Sequence, residues 1–143
     1  AQDDALLDLA LDALAQAPQL FAAGVDIHGV HDWNEGIHNF RRDYVPEHLP
    51  EFSERAFEAS PLYHIDRWED PVLLIHGDDD RNVKFSETVT LARELTLRDV
   101  PHEVLVLPDE VHGFLMHRSW LDVYRATADW FDRWMGPPED GSR

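Results

Sequence analysis

The chain has 143 residues, 43% of them hydrophobic, a formal net charge of −17 and no cysteine. That length and apolar content are enough for one folded core. The lack of cysteine excludes disulfides, thiolate metal sites and thiol catalysis. So much negative charge repels nucleic acid and anionic membranes, so neither is an expected partner. No run of residues approaches the length of a membrane span, and the first residues lack the basic–apolar–small order of a signal peptide. A cytoplasmic location is therefore favoured.

The first predicted element is a helix over residues 3–17. Asp3 and Asp4 suit its N-terminus, where exposed backbone N–H groups favour negative charge. Asp4, Asp8 and Asp12 form an i, i+4 stripe that must face water, and Pro18 ends the helix. Residues 21–30 read as a strand leading into a loop over 28–33. Residues 34–69 are broken by Pro46, Pro50 and Pro61, with short helices predicted near 36–43 and 50–58. Residues 72–76 are a continuous apolar run, as expected of a strand covered on both faces. A helix follows over 85–99 with Val89, Ala92 and Leu95 on its apolar face, then a strand over 104–107. Ser119 is placed to cap a final helix, whose apolar positions are Leu121, Tyr124, Ala128, Phe131 and Met135. Alternation of strand and helix predicts an α/β fold in three layers, with about three parallel strands flanked by helices and joined by right-handed crossovers. One domain is expected over residues 1–136, with a frayed tail over 137–143.

Two of these strands end in polar loops. Residues 72–83 read VLLIHGDDDRNV and residues 104–114 read VLVLPDEVHGF. Asp80 lies in the first loop and His112 in the second, with a helix-length segment between. This is the chain order of the acid and base in a Ser…Asp…His triad of an α/β-hydrolase. A carboxylate beside an imidazole holds it in one tautomer and stabilises its protonated form. Loops at the carboxyl ends of adjacent parallel strands are able to bring the two together.

Residues 18–135 resemble the C-terminal half of the catalytic domain of the prolyl oligopeptidase family of serine peptidases. The resemblance rests on PQLFAAGVDIHGVHDW, SPLYHID, PVLLIHGDDDRNVKFSET and LPDEVHGF followed by the last helix. It implies that Asp80 is the triad acid and His112 the base, with Asp78 and Asp79 outside the matching position. It also implies a parent activity of acyl transfer to water at a peptide bond, often after proline or a small residue.

The sequence departs from the family at its start. Counting back from Phe21 puts the nucleophile position near Asp4, and Leu6 and Leu7 stand where the family has glycines. The sharp elbow that carries such a serine needs glycine, and no Gly-x-Ser-x-Gly turn occurs in the sequence. Ser60, Ser86 and Ser119 sit in no elbow. An ordinary helix start explains Asp3 and Asp4 better than an aspartate nucleophile does. The strand before the elbow and the substrate-restricting propeller of the family are also missing from the sequence. The expectation is an excised or engineered derivative that keeps the acid and base, lacks the serine and is inactive alone. Two alternatives stay open: a non-catalytic α/β scaffold or assembly module, and a piece complemented by a serine-bearing N-terminal fragment.

No cofactor or metal is expected. His28, His31 and His38 are a conceivable ligand set, but the resemblance makes the first two part of a loop after a strand. His76 reads as structural. Trp120, Trp130 and Trp134 read as core and rim. The sheet edge near Val25–His28 lacks its family neighbour. Either the helix over 3–17 covers it or a second copy pairs with it, and a homodimer is the expectation.

Overall fold

The structure, a computed structural model, describes residues 13–14 and 20–136. Its centre is a parallel sheet of β1 (Gly24–Ile27), β2 (Val72–Gly77) and β3 (His102–Leu107), in the order β1-β2-β3. Gly24 aligns with Val72, and Val72 with His102. Among residues 20–136, four helices accompany it: α1 (Trp33–Phe40), α2 (Pro50–Glu58), α3 (Ser86–Leu97) and α4 (His117–Met135), with short 3₁₀ turns at Pro46–His48 and Pro61–Arg67.

β2 is central and every one of its residues is buried, which explains its unbroken apolar run. Its side chains alternate between two layers. Val72 and Leu74 pack with Leu91 and Leu95 of α3 and with Leu14, Ile65 and Trp68. Leu73 and Ile75 pack with Val123 and Trp130 of α4 and with Leu107 and Phe114. Each such buried aliphatic side chain contributes about 1.5–3 kcal/mol relative to exposure. The three-layer α/β arrangement expected from the sequence is thus present.

Several details differ. β1 is shorter than residues 21–30 because His28 turns into the left-handed region, φ +48°, and ends the strand. α1 starts three residues earlier than predicted, because Asp32 caps it by accepting the Asn34 amide at 2.8 Å. α3 is turned so that Thr88, Leu91 and Leu95 are buried, and Val89 is 53% exposed. α4 carries two apolar stripes. The one that faces the sheet runs through Ser119, Val123 and Trp130, while Leu121, Tyr124, Ala128 and Met135 of the predicted stripe are exposed; only Phe131 packs against the core. Ser119 is no cap: it lies inside the helix and its hydroxyl donates to Glu110.

The predicted helix over 3–17 lies outside the described residues except for 13 and 14, which are helical, with Leu14 buried against Gly24. Asp4 and the tail over 137–143 also lie outside them. Among the described residues no helix is long and apolar enough to cross a membrane.

Candidate active site

β2 and β3 end side by side, and the loops that leave them are sewn together. The Asp78 amide donates to the Leu107 carbonyl at 3.3 Å, and the Asp79 amide to the Glu110 carbonyl at 3.1 Å. The Asp78 carboxylate accepts the Asp109 amide at 2.7 Å. Gly77 permits this approach, since a Cβ there would lie 2.3 Å from the Glu110 carbonyl oxygen.

Asp80 occupies the turn after β2 with its carboxylate buried. One oxygen, Oδ1, accepts the amides of Asn82 at 2.8 Å and Val83 at 3.0 Å. The other, Oδ2, accepts Nδ1–H of His112 at 2.8 Å and Nε2–H of His76 at 3.1 Å. The two residues singled out by the sequence therefore meet through a charge-assisted hydrogen bond. Burial works against ionisation of Asp80, but the bonds from His76, His112 and the Val83 and Asn82 amides outweigh it and hold its pKa at about 2.

His112 lies in the loop after β3, which is held in unusual backbone. Asp109, Gly113 and Phe114 all have positive φ, at +62°, +86° and +35°. Gly113 adopts this freely, but at Asp109 and Phe114 such a conformation persists only where the surroundings fix it. Here Glu110 does so. Its carboxylate, buried in the fold, accepts the Leu115 amide at 2.7 Å, the Met116 amide at 3.1 Å and the Ser119 hydroxyl. Glu110 thus ties the loop around His112 to the start of α4. The Ser119 hydroxyl bond, outweighing burial, lowers the Glu110 pKa. Trp120 adds a bond from its indole N–H to the Phe114 carbonyl at 2.9 Å.

His28 packs on His112 with ring centroids 4.0 Å apart and touches Phe114 edge-on at 5.5 Å. Burial and then the charge of His112 push the His28 pKa down. The loop that carries His28 is anchored beneath by a second buried carboxylate–imidazole pair. His31 donates from Nε2 to Asp26 at 2.9 Å, and neither side chain is exposed. Glu87 of α3 accepts the amides of His31 and Asp32 at 2.8 and 2.9 Å. Burial opposes charging of His31, yet the field of Asp26 and its hydrogen bond prevail and raise its pKa.

The three histidines weighed as metal ligands are engaged separately. His28 stacks on His112, His31 bonds Asp26, and His38 donates to the Tyr44 carbonyl at 2.9 Å. Among the described residues no group of three His, Cys, Asp or Glu side chains is placed to hold a metal ion.

The serines read as candidates also have other roles. The Ser60 hydroxyl donates to the Ala56 carbonyl and accepts the Trp33 amide, both at 2.8 Å. Ser119 serves Glu110, and Ser86 is the exposed first residue of α3. Sequence reasoning passed over Glu110 and Thr88 and gave His76 no functional part. The signal for Glu110 was its place in Asp-Glu-x-His-Gly, two residues before His112.

The family model described as the prolyl oligopeptidase family matches residues 9–138. Dipeptidyl-peptidase 5 of Porphyromonas gingivalis is 34% identical over 104 residues, covering 73% of this chain and 14% of that protein. A probable dipeptidyl-aminopeptidase B of Arthroderma otae is 30% identical over 119 residues, covering 80% of this chain and 12% of that protein. Among solved structures, a puromycin-hydrolyzing peptidase of Mycobacterium tuberculosis superimposes with a TM-score of 0.77 at 28% identity, over 93% of this chain and 21% of that one. Pyrococcus horikoshii acylaminoacyl peptidase gives a TM-score of 0.79 at 21% identity, over 96% and 24%, a likeness of fold. In each case the chain corresponds to a small part of a much longer protein.

Proposed function

Since the chain belongs to the prolyl oligopeptidase family, we propose that Asp80 and His112 are the acid and base of a serine peptidase site whose nucleophile comes from outside these 143 residues. The observation that carries this is the 2.8 Å bond from His112 Nδ1 to an Asp80 carboxylate held ionised by its other donors. With Nδ1 given to Asp80, the lone pair on Nε2 is the one suited to take the proton of a serine hydroxyl as it attacks a carbonyl. Asp80 stabilises the imidazolium without taking the proton. The imidazolium then passes it to the leaving amine, and water repeats the cycle to release the acyl group.

Other features support the nucleophile's being external. The sequence has no Gly-x-Ser-x-Gly turn, and the hydroxyls of Ser60 and Ser119 are bonded elsewhere. The names of the relatives, dipeptidyl peptidase and dipeptidyl-aminopeptidase, favour release of dipeptides from peptide substrates. On this reading the chain alone is inactive and complements a polypeptide that carries the serine elbow. A second partner is proposed as well: another copy of the chain, paired along the edge of the sheet.

The test is reaction with a fluorophosphonate probe followed by mass spectrometry. The chain alone should show no labelled serine. The chain joined to an N-terminal segment bearing a Gly-x-Ser-x-Gly strand and turn should be labelled at that serine, and His112→Ala should abolish the labelling. Labelling of Ser53, Ser60, Ser86, Ser119 or Ser142 in the chain alone would overturn the reading.

A further inference from the structure

His76 is the last side chain of β2 before the acid loop, and it is completely buried. Its ring lies between Phe85, 5.6 Å away edge-on, and His28 at 6.5 Å. Both ring nitrogens are engaged. Nε2 faces two oxygens at 3.1 Å, Oδ2 of Asp80 and the carbonyl of Val83. An ionised carboxylate and a carbonyl only accept, so Nε2 carries the hydrogen. Nδ1 lies 2.6 Å from the hydroxyl of Thr88 in α3, which donates to it when the ring is neutral.

This geometry closes a loop of bonds. The Val83 amide donates to Oδ1 of Asp80 and the Val83 carbonyl accepts from His76, which also donates to Oδ2. The two backbone amides fix only one end of the carboxylate. The end that serves His112 is Oδ2, and besides His112 its hydrogen-bond donor in the described structure is His76. His112 sits on a loop built from left-handed backbone, whereas His76 sits on the central strand. The rigid member of the set is therefore His76.

We propose that His76 is a positioning residue for the base: it fixes Oδ2 of Asp80 from the end of β2, and Thr88 of α3 fixes the His76 ring in turn. This rests on the reading of Asp80 and His112 as acid and base. It adds that the orientation and tautomer of His112 are set through Asp80 by a histidine that never touches substrate. A plain packing role predicts something different, because any side chain filling the same volume would then serve.

The experiment uses the chain as it stands, with ¹⁵N and ¹H NMR of His112 and ¹³C NMR of the Asp80 carboxyl. The wild type should show His112 in the Nδ1–H form with a downfield Nδ1 proton. His76→Leu, which fills the volume without donating, should lose that signal, and the titration midpoint of Asp80 should rise from about 2 by about one unit. His76→Gln, whose amide reaches the place of Nε2, should restore both. Equal loss in the Leu and Gln variants, or no change in Leu, overturns the proposal. If His76→Leu does not fold, Thr88→Val decides. A weakened His112 proton signal supports the proposal and an unchanged one refutes it. None of these readouts needs a nucleophile, so failure of the serine-labelling test and failure of this one are separate results.

Discussion

The loop that carries Asp80 and the loop that carries His112 adjoin but are held in different ways. Asp80 is fixed mostly from within its own segment: the Asn82 and Val83 amides come from the same turn, and His76 from four residues upstream. The His112 loop holds three residues with positive φ and is closed by Glu110 onto the first turn of a 19-residue helix. A site built from one locally determined loop and one determined by packing is unequally robust. Asp80 should stay in place under perturbations that release His112.

The largest expected effect tests that asymmetry. Glu110→Ala leaves the part-buried Leu115 and Met116 amides and the buried Ser119 hydroxyl without their acceptor. Unsatisfied buried groups cost about 1–3 kcal/mol each, so a loss of about 3 kcal/mol overall is expected in denaturant unfolding. In hydrogen exchange, protection should fall at residues 112–120 and hold at Asn82 and Val83. Equal loss in both loops would show that they are not held independently.

A smaller effect comes from pH. The Asp80 pKa lies below the ordinary carboxylate value, so its contribution is complete above about pH 4 and is lost as pH falls towards about 2. The amount is on the order of 2 kcal/mol. Asp80→Asn should flatten the acid limb of a stability–pH curve, and an unchanged limb would deny the carboxylate this role. His31 has the opposite sign. Its raised pKa gives stability present below its unfolded value and lost as pH rises through the folded one.

The smallest expected effect concerns assembly. Among the described residues β1 and β3 each pair with β2 only. Val104 and Val106 of β3 are 41% and 40% exposed, whereas β1 alternates buried and half-buried residues. If a second copy pairs with the sheet, added salt should strengthen the dimer by screening like charges over about 8 Å at physiological ionic strength. Sedimentation across a salt series that shows only monomer would rule it out.

The Asp80 loop was also the more legible region. The unbroken apolar run of β2 followed by His-Gly-x-x-Asp-x-x-Val encodes a strand and a self-contained turn, so sequence located both β2 and Asp80. His112 was located by its motif, but what holds it was not. Glu110 acts across a loop onto a helix start, and nothing local marks that. Helix faces were the weakest reading. Val89 and Leu91 are both apolar, and α4 offers two apolar stripes. The choice between them depends on where Trp130 and Val123 meet Leu73 and Ile75, a tertiary fact. The start of α1 was missed for the opposite reason: the Asp32 cap was local and readable, but the loop was extended past it.

On the proposed reading, Asp80 acts through His112 in acyl transfer. The most direct measurement is the rate of fluorophosphonate labelling in the serine-complemented assembly, with and without Asp80→Asn. That change keeps the shape but removes the charge that fixes the His112 tautomer. The rate should fall by on the order of 10³–10⁴, with His112→Ala at least as low. A fall of less than about tenfold in Asp80→Asn would contradict the account.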